Sequence, residues 1–341
     1  MLNNQNIFYK KKILIYGLGK SGLSVFKFLK KNNEITTYDD KIKSDNKKIT
    51  KIKFDYIIIS PGIDINKCDL SKFLKNNFKK IYTDLDIFYS HHKGNNKITI
   101  TGTNGKSTTA KILYDILKDQ KADVRLVGNI GNPVLLEERI TNKTVFVIEA
   151  SSYQLEYSKL FKSNISLILN ISPDHLERHK TINKYVSAKF KLVKNQSKRD
   201  FAILNTKNFY IQRELKSKNF LPKIIRVNKN VDNILLKKID NKYFNTDGNK
   251  ENLKFILKVA KILKINKNSL VKTLKKFKGL KYRQETIFHS KKLTIINDSK
   301  ATTFSSSVSL LKSLNNVYWI VGGQAKKGDK LLLSKKNCKN I

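Results

Sequence analysis

Cysteine is nearly absent from the 341 residues: Cys68 and Cys338 are far apart and show no CxxC spacing, which excludes a disulfide framework and fits a reducing compartment. No apolar run approaches the length that spans a bilayer, and Met1 to Lys12 lacks the apolar stretch of a signal peptide. A soluble, cytoplasmic protein with no membrane partner is expected. Acid is also scarce, 27 Asp and Glu against 69 Lys and Arg, for a formal charge of +42. The excess is not gathered into one block, because lysines mix with Asn and Ile in nearly every segment, as in 43–53 and 258–278. Spread in this way, the charge reads as compositional bias rather than a dedicated nucleic-acid surface, while a general attraction for phosphorylated metabolites stays compatible. A nucleic-acid binder would instead bind with strong salt dependence and indifference to substrate. There are no internal repeats.

What is present is enough apolar material for real cores, 40% of residues with 18 Phe and 14 Tyr, at a length that suggests two or three domains. The first segment, 1–93, alternates strand-like runs at 13–16, 34–38, 56–60 and 80–82 with helical patterns, and ends in the polar stretch 90–96. It reads as a small parallel α/β unit. The second, 94–278, has strand candidates at 97–101, 144–149, 165–170 and 201–205 and helical periodicity over 184–193 and 252–263. The third, 279–341, has strands expected at 293–297 and 317–321, and is short against the usual domain of roughly 100 to 150 residues.

The strongest local signal is Thr101-Gly102-Thr103-Asn104-Gly105-Lys106-Ser107-Thr108, between a strand and a helix. Glycines there let backbone N–H groups approach phosphate oxygens, Lys106 can neutralise β/γ charge and Ser107 can ligate Mg²⁺. The spacing is shorter than a standard phosphate loop, so a plain glycine turn with an incidental lysine stays open at this point. Glu149 ends an apolar strand and His175 follows another, both at the sheet edge where a cation could be met. Gly17-Leu18-Gly19-Lys20-Ser21-Gly22, with Asp39 after the second strand, fits a dinucleotide fingerprint, or simply a tight βα turn.

The loop at 101–108 resembles that of the Mur ligases and their folylpolyglutamate synthetase relatives, ATP-dependent enzymes that form amide bonds. Further segments match the family in the same order: 128–133 as GNIGxP, 149–155 as ExSSxQL, 170–179 as NIxPDHLDRH and 185–189 as YxxAK. The resemblance implies an α/β fold with the three-domain Mur ligase architecture: a Rossmann-like N-terminal domain, a central P-loop ATPase-like domain and an incomplete Rossmann-like C-terminal domain. It implies that Glu149 and His175 serve Mg²⁺ with Ser107, and that Lys189 is carbamylated by CO₂ into a further ligand. Gly17, Leu18, Gly19, Lys20, Ser21, Asp39, Ser60, Pro61, Gly62 and Asn129 would hold a UDP-linked substrate rather than NAD.

Asn297 to Thr302 is similar to the NDSKATN of the branch that adds D-glutamate to UDP-N-acetylmuramoyl-L-alanine, with Thr303 in place of the last Asn. Tyr282-Arg283-Gln284-Glu285 resembles HRxE with Tyr282 for His, and Gly248 to Asn252 resembles HNxxN with Gly248 for His. The resemblance implies that Arg283, Asn249, Asn252 and Asp298 join residues 102–108 at ATP. Lys106, Lys189, His175, Asp298, Lys300 and Lys326 would form the catalytic set, Lys326 lying in a GGxxKG-like turn where Lys327 displaces the last glycine. A monomer acting on ATP, the UDP-sugar and D-glutamate is expected. The family's third domain runs on past that turn to hold the D-glutamate carboxylates. The rival expectation is therefore a protein that keeps nucleotide and UDP-sugar affinity without ligation; a folylpolyglutamate synthetase is disfavoured by the first domain and the NDSKAT segment.

Overall fold

Short β-branched runs, each followed by a turn and a helix, build two parallel sheets in a computed structural model that describes residues 6–42, 46–227, 231, 233–324 and 333. The first sheet contains β1 (Lys12–Tyr16), β2 (Glu34–Tyr38), β3 (Tyr56–Ile59) and β4 (Ile81–Tyr82) in the order β2-β1-β3-β4. The second contains β5 (Asn96–Thr101), β6 (Val124–Gly128), β7 (Val145–Glu149), β8 (Ile165–Ile168), β9 (Phe201–Leu204) and β10 (Lys223–Arg226), in the order β10-β9-β8-β5-β7-β6. All pairings in both sheets are parallel. Strands such as Ile98, Ile100, Phe146, Val147, Ile148 and Leu167 are buried on both faces, as expected where helices cover a parallel sheet on either side.

The strands expected in the first two segments are all present, with ends shifted by at most two residues. β6 and β10 were not foreseen. In the third segment β11 (Glu285–His289) and β12 (Thr294–Asn297) form an antiparallel hairpin, followed by the helix Phe304–Leu311. The strand expected at 317–321 is absent among the described residues: that stretch is irregular, and Tyr318 and Ile320 stand 98% and 99% exposed, with no neighbouring strand to satisfy their backbone.

One apolar cluster crosses from the first sheet to the second. Ile13, Ile15, Leu85 and Phe88 pack in the same core as Val127, Phe146, Ile148 and Phe161, with the Phe88 and Phe146 rings edge to face at 4.8 Å. A polar bolt reinforces this junction. The carboxylate of Asp86, fully buried in the capping box of the helix Asp84–His91, accepts from the Thr83 N–H at 3.0 Å and the Thr83 hydroxyl at 3.1 Å through Oδ2. Its Oδ1 accepts from the Ser158 hydroxyl at 2.8 Å and from the N–H groups of Lys159, Leu160 and Phe161 at 2.9, 2.7 and 3.0 Å. Among the described residues no helix is long and apolar enough to cross a membrane.

Candidate active site

β5 ends in the glycine loop, and the helix Lys106–Asp119 starts directly from it. Gly105 caps that helix at φ 83°, a left-handed conformation that glycine adopts without strain, and a Cβ there would lie 2.2 Å from the Asn252 side-chain oxygen. The first N–H groups of the helix have no intrahelical acceptor and face the loop, which makes an anion site. The loop is held open by the end of β8. The Thr103 N–H donates to the Asn170 carbonyl at 2.9 Å, the Asn104 N–H to Asn170 Oδ1 at 2.8 Å, and the Ser172 N–H to the Thr103 hydroxyl at 3.0 Å. Lys106 curls back so that its Nζ donates to the Thr103 carbonyl at 2.8 Å, keeping the ammonium over the loop.

Beside this loop lie two buried ionisable side chains. Glu149 is 1% exposed at the C-terminal end of β7; the Asn129 amide donates to its Oε1 at 2.9 Å, while its Oε2 is buried with no hydrogen-bond partner. An orphaned carboxylate oxygen is costly unless something else engages it. Lys189, from the helix Ile182–Lys194, is also 1% exposed and donates to the Gly102 carbonyl at 2.9 Å. Burial first, and Lys106 second, push its ammonium well below the usual lysine range. His175 reaches the same edge in a left-handed backbone conformation; its Nδ1 lies 3.0 Å from the Tyr153 hydroxyl and its Nε2 3.4 Å from Asp174 Oδ2. No three His, Cys, Asp or Glu side chains gather into a protein-only metal cage among the described residues. The donor set fits a cation that takes most of its ligands from phosphates and water: one carboxylate with an unengaged oxygen, an imidazole, and the Ser107 hydroxyl at the loop.

The opposite wall of the loop comes from the helix Asp247–Ile262 and the third segment. Asn249 and Asn252 are buried, and the Asn249 amide donates to the Tyr243 carbonyl at 2.9 Å and to Gln284 Oε1 at 3.1 Å. The Tyr243 hydroxyl lies 3.5 Å from that of Thr108 and feels the charge of Arg283. Asp298 accepts from the Gln284 N–H at 3.1 Å and the Ser307 hydroxyl at 3.0 Å, and desolvation pushes its carboxyl above the usual range. The Ser306 hydroxyl donates to Asn104 Oδ1 at 2.9 Å, so the third segment touches the loop itself. Lys300 is exposed, and its backbone N–H donates to the Tyr282 carbonyl at 3.0 Å. Lys326 lies outside the described residues.

In the first unit Gly17, at φ 91°, brings the turn against Ser60, whose hydroxyl donates to the Gly17 carbonyl at 2.6 Å. A Cβ on Gly22 would sit 1.8 Å from that same carbonyl, so the following helix packs directly on the turn. Asp39 accepts from the Leu18 and Lys41 N–H groups at 2.6 and 3.0 Å, which lowers its pKa and makes it a brace for the turn. Leu18, Ser21 and Pro61 are half-buried, and Gly19, Lys20 and Gly62 are exposed. Asn129 stands instead at the second sheet, on Glu149. Sequence reasoning gave no individual role to Asn170, Tyr153, Arg178 or Tyr243; the first three lie within the family-like segments 149–155 and 170–179, which was the available signal.

Residues 100–272 match the Mur ligase middle domain. The chain is 34% identical to a UDP-N-acetylmuramoylalanine-D-glutamate ligase of Rickettsia bellii, over 94% of this chain and 78% of that protein. It is 32% identical to one of Clostridioides difficile, over 96% and 81%. In fold it is similar to a UDP-N-acetylmuramate-alanine ligase from Thermotoga maritima, with a TM-score of 0.52 at 16% identity over 89% of this chain and 77% of the other.

Proposed function

The chain belongs to the Mur ligase family, and from that premise we propose that it joins D-glutamate to UDP-N-acetylmuramoyl-L-alanine with conversion of ATP to ADP and phosphate, a step of peptidoglycan precursor synthesis. The observation that carries this reading is the shared sheet edge of the anion loop, the orphaned Glu149 oxygen and the buried Lys189 amine. A carboxylate is a poor electrophile, so an amide forms in water only after activation. A carboxylate oxygen of the UDP-linked substrate attacks the γ-phosphorus and ADP leaves; the D-glutamate amine then attacks the acyl carbon, phosphate departs and the amine proton passes to solvent. The helix N-terminus and Lys106 stabilise negative charge on the transferring group, with Asn249, Asn252, Arg283 and Asp298 holding the nucleotide.

Mg²⁺ held by Ser107, Glu149 and His175 would neutralise phosphate charge. Lys189 fits a further role. Burial disfavours its ammonium, and the free amine is nucleophilic toward CO₂; forming the N–C bond releases one proton and leaves a carboxylate-like anion that would serve beside Glu149 as a metal ligand. The turn 17–22, braced by Asp39 and closed by Ser60 to Gly62, holds the uridine nucleotide, and Asp298, Lys300 and Lys326 serve the reaction from the third segment. The protein works as a cytoplasmic monomer on small-molecule substrates.

The test is phosphate release from ATP with UDP-N-acetylmuramoyl-L-alanine and Mg²⁺, with and without D-glutamate. Release that needs both substrates and is lost in Lys106→Ala is expected. Binding of the UDP-sugar without any release would overturn the catalytic reading.

A further inference from the structure

Arg178 is 8% exposed although its guanidinium is always charged. Its Nε donates to Glu156 Oε2 at 2.8 Å, its Nη2 to the Ile63 carbonyl at 2.6 Å, and its Nη1 lies 3.4 Å from the Gly62 carbonyl. The plane is flanked by Tyr153 and Tyr157, with ring centroids 5.2 and 5.5 Å away. Gly62 and Ile63 follow β3 in the first sheet, whereas Glu156, Tyr153 and Tyr157 belong to the central unit. The guanidinium therefore bridges two units at the loop that also closes on Gly17 through Ser60.

The other end of this arrangement reaches the cation edge. The Tyr153 hydroxyl donates to Glu177 Oε1 at 3.2 Å and lies 3.0 Å from His175 Nδ1, so one ring separates Arg178 from His175. A planar fork with its donors on fixed carbonyls transmits a displacement of the loop to the stacked ring, which a flexible ammonium would not.

We propose that Arg178 is a positioning residue that sets the loop Ser60–Ile63 relative to His175, so that filling the uridine-nucleotide cradle and filling the ATP–Mg²⁺ site favour each other. The inference rests on the two sites assigned above. By linkage the two ligands strengthen each other by one common factor, about tenfold in the usual range for such coupling.

Calorimetry on the full chain tests it, with UDP-N-acetylmuramoyl-L-alanine and a non-hydrolysable ATP analogue with Mg²⁺, each titrated alone and in the presence of the other. Each Kd of the parent should fall about tenfold when the other ligand is present. Arg178→Lys keeps the charge and reaches one acceptor; its separate Kd values should stay within about twofold while the mutual factor falls toward one. Tyr153→Phe keeps the ring under the guanidinium and removes only the hydroxyl link, and should lose coupling with unchanged affinity for the UDP-sugar. Coupling that survives in both variants overturns the proposal, as does a variant that weakens both ligands equally with coupling intact, which marks a structural role. A parent that binds both ligands without coupling overturns this inference and leaves the ligase reading standing; a parent that binds no UDP-sugar overturns both.

Discussion

Replacing Asp86 by Asn tests what joins the first sheet to the central unit. The carboxylate takes six hydrogen bonds, four on Oδ1 from residues 158–161 and two on Oδ2 from Thr83. Asparagine has one acceptor oxygen. With that oxygen kept on the four donors, its NH₂ turns to Thr83, where the hydroxyl can rotate to accept but the backbone N–H cannot. One buried donor is left unsatisfied, at about 1–3 kcal/mol, and the remaining bonds lose their charge assistance. The sum is a loss of about 2–4 kcal/mol, or roughly 3–6 °C in Tm for a chain of this size. Thermal melts followed by circular dichroism measure it, with Asp86→Ala, which leaves all six donors without the carboxylate, as the more severe case. An Asn variant melting within about 1 °C of the parent would refute the claim that this carboxylate holds the junction.

Asp84, fully buried with its carboxyl raised to about 6 chiefly by desolvation, contributes stability at low pH and loses it as pH rises through about 6, because the folded protein must then ionise a buried group. Asp84→Asn should therefore be more stable than the parent by about 1–3 kcal/mol at pH 8 and show no gain at pH 4, as read by urea unfolding; equal stability at pH 8 contradicts this. Gly128→Ala would put a Cβ 2.3 Å from the Glu149 carbonyl at a φ of 105°, and should cost about 3 kcal/mol in the same assay. If it melts like the parent, the close approach of β6 and β7 is wrong. Glu149→Gln should raise the Mg²⁺ concentration for half-maximal phosphate release roughly 10- to 100-fold, and an unchanged Mg²⁺ requirement removes Glu149 from the metal.

The parallel sheets were legible because their strands are short β-branched runs bounded by turns, and the phosphate loop because it is local, eight consecutive residues between a strand and a helix. β6 escaped notice because Arg125 interrupts its apolar run and its strand geometry comes from pairing with β7. The stretch 317–321 misled for the opposite reason, being apolar enough for a strand but lacking a neighbour among the described residues. The site's supports were hidden by distance along the chain. Asn170 reaches Asn104 across 66 residues and Arg178 reaches Ile63 across 115, and no pattern within a window of sequence reveals such pairs. The assignment of ligand roles came from resemblance to a family, while the orphaned oxygen of Glu149 and the burial of Lys189 against the Gly102 carbonyl are visible only in the fold.

The apolar cluster common to both sheets bears on how such a chain can be recombined. A cut near residue 93 would leave Leu85 and Phe88 on one fragment and Phe146 and Phe161 on the other, each with its buried face open to water. A foreign nucleotide-binding unit grafted onto this central unit would therefore need, at the places of Ile13, Ile15, Leu85 and Phe88, side chains that fit Val127, Phe146, Ile148 and Phe161. Exchanging substrate preference by swapping the first segment alone would expose this shared core.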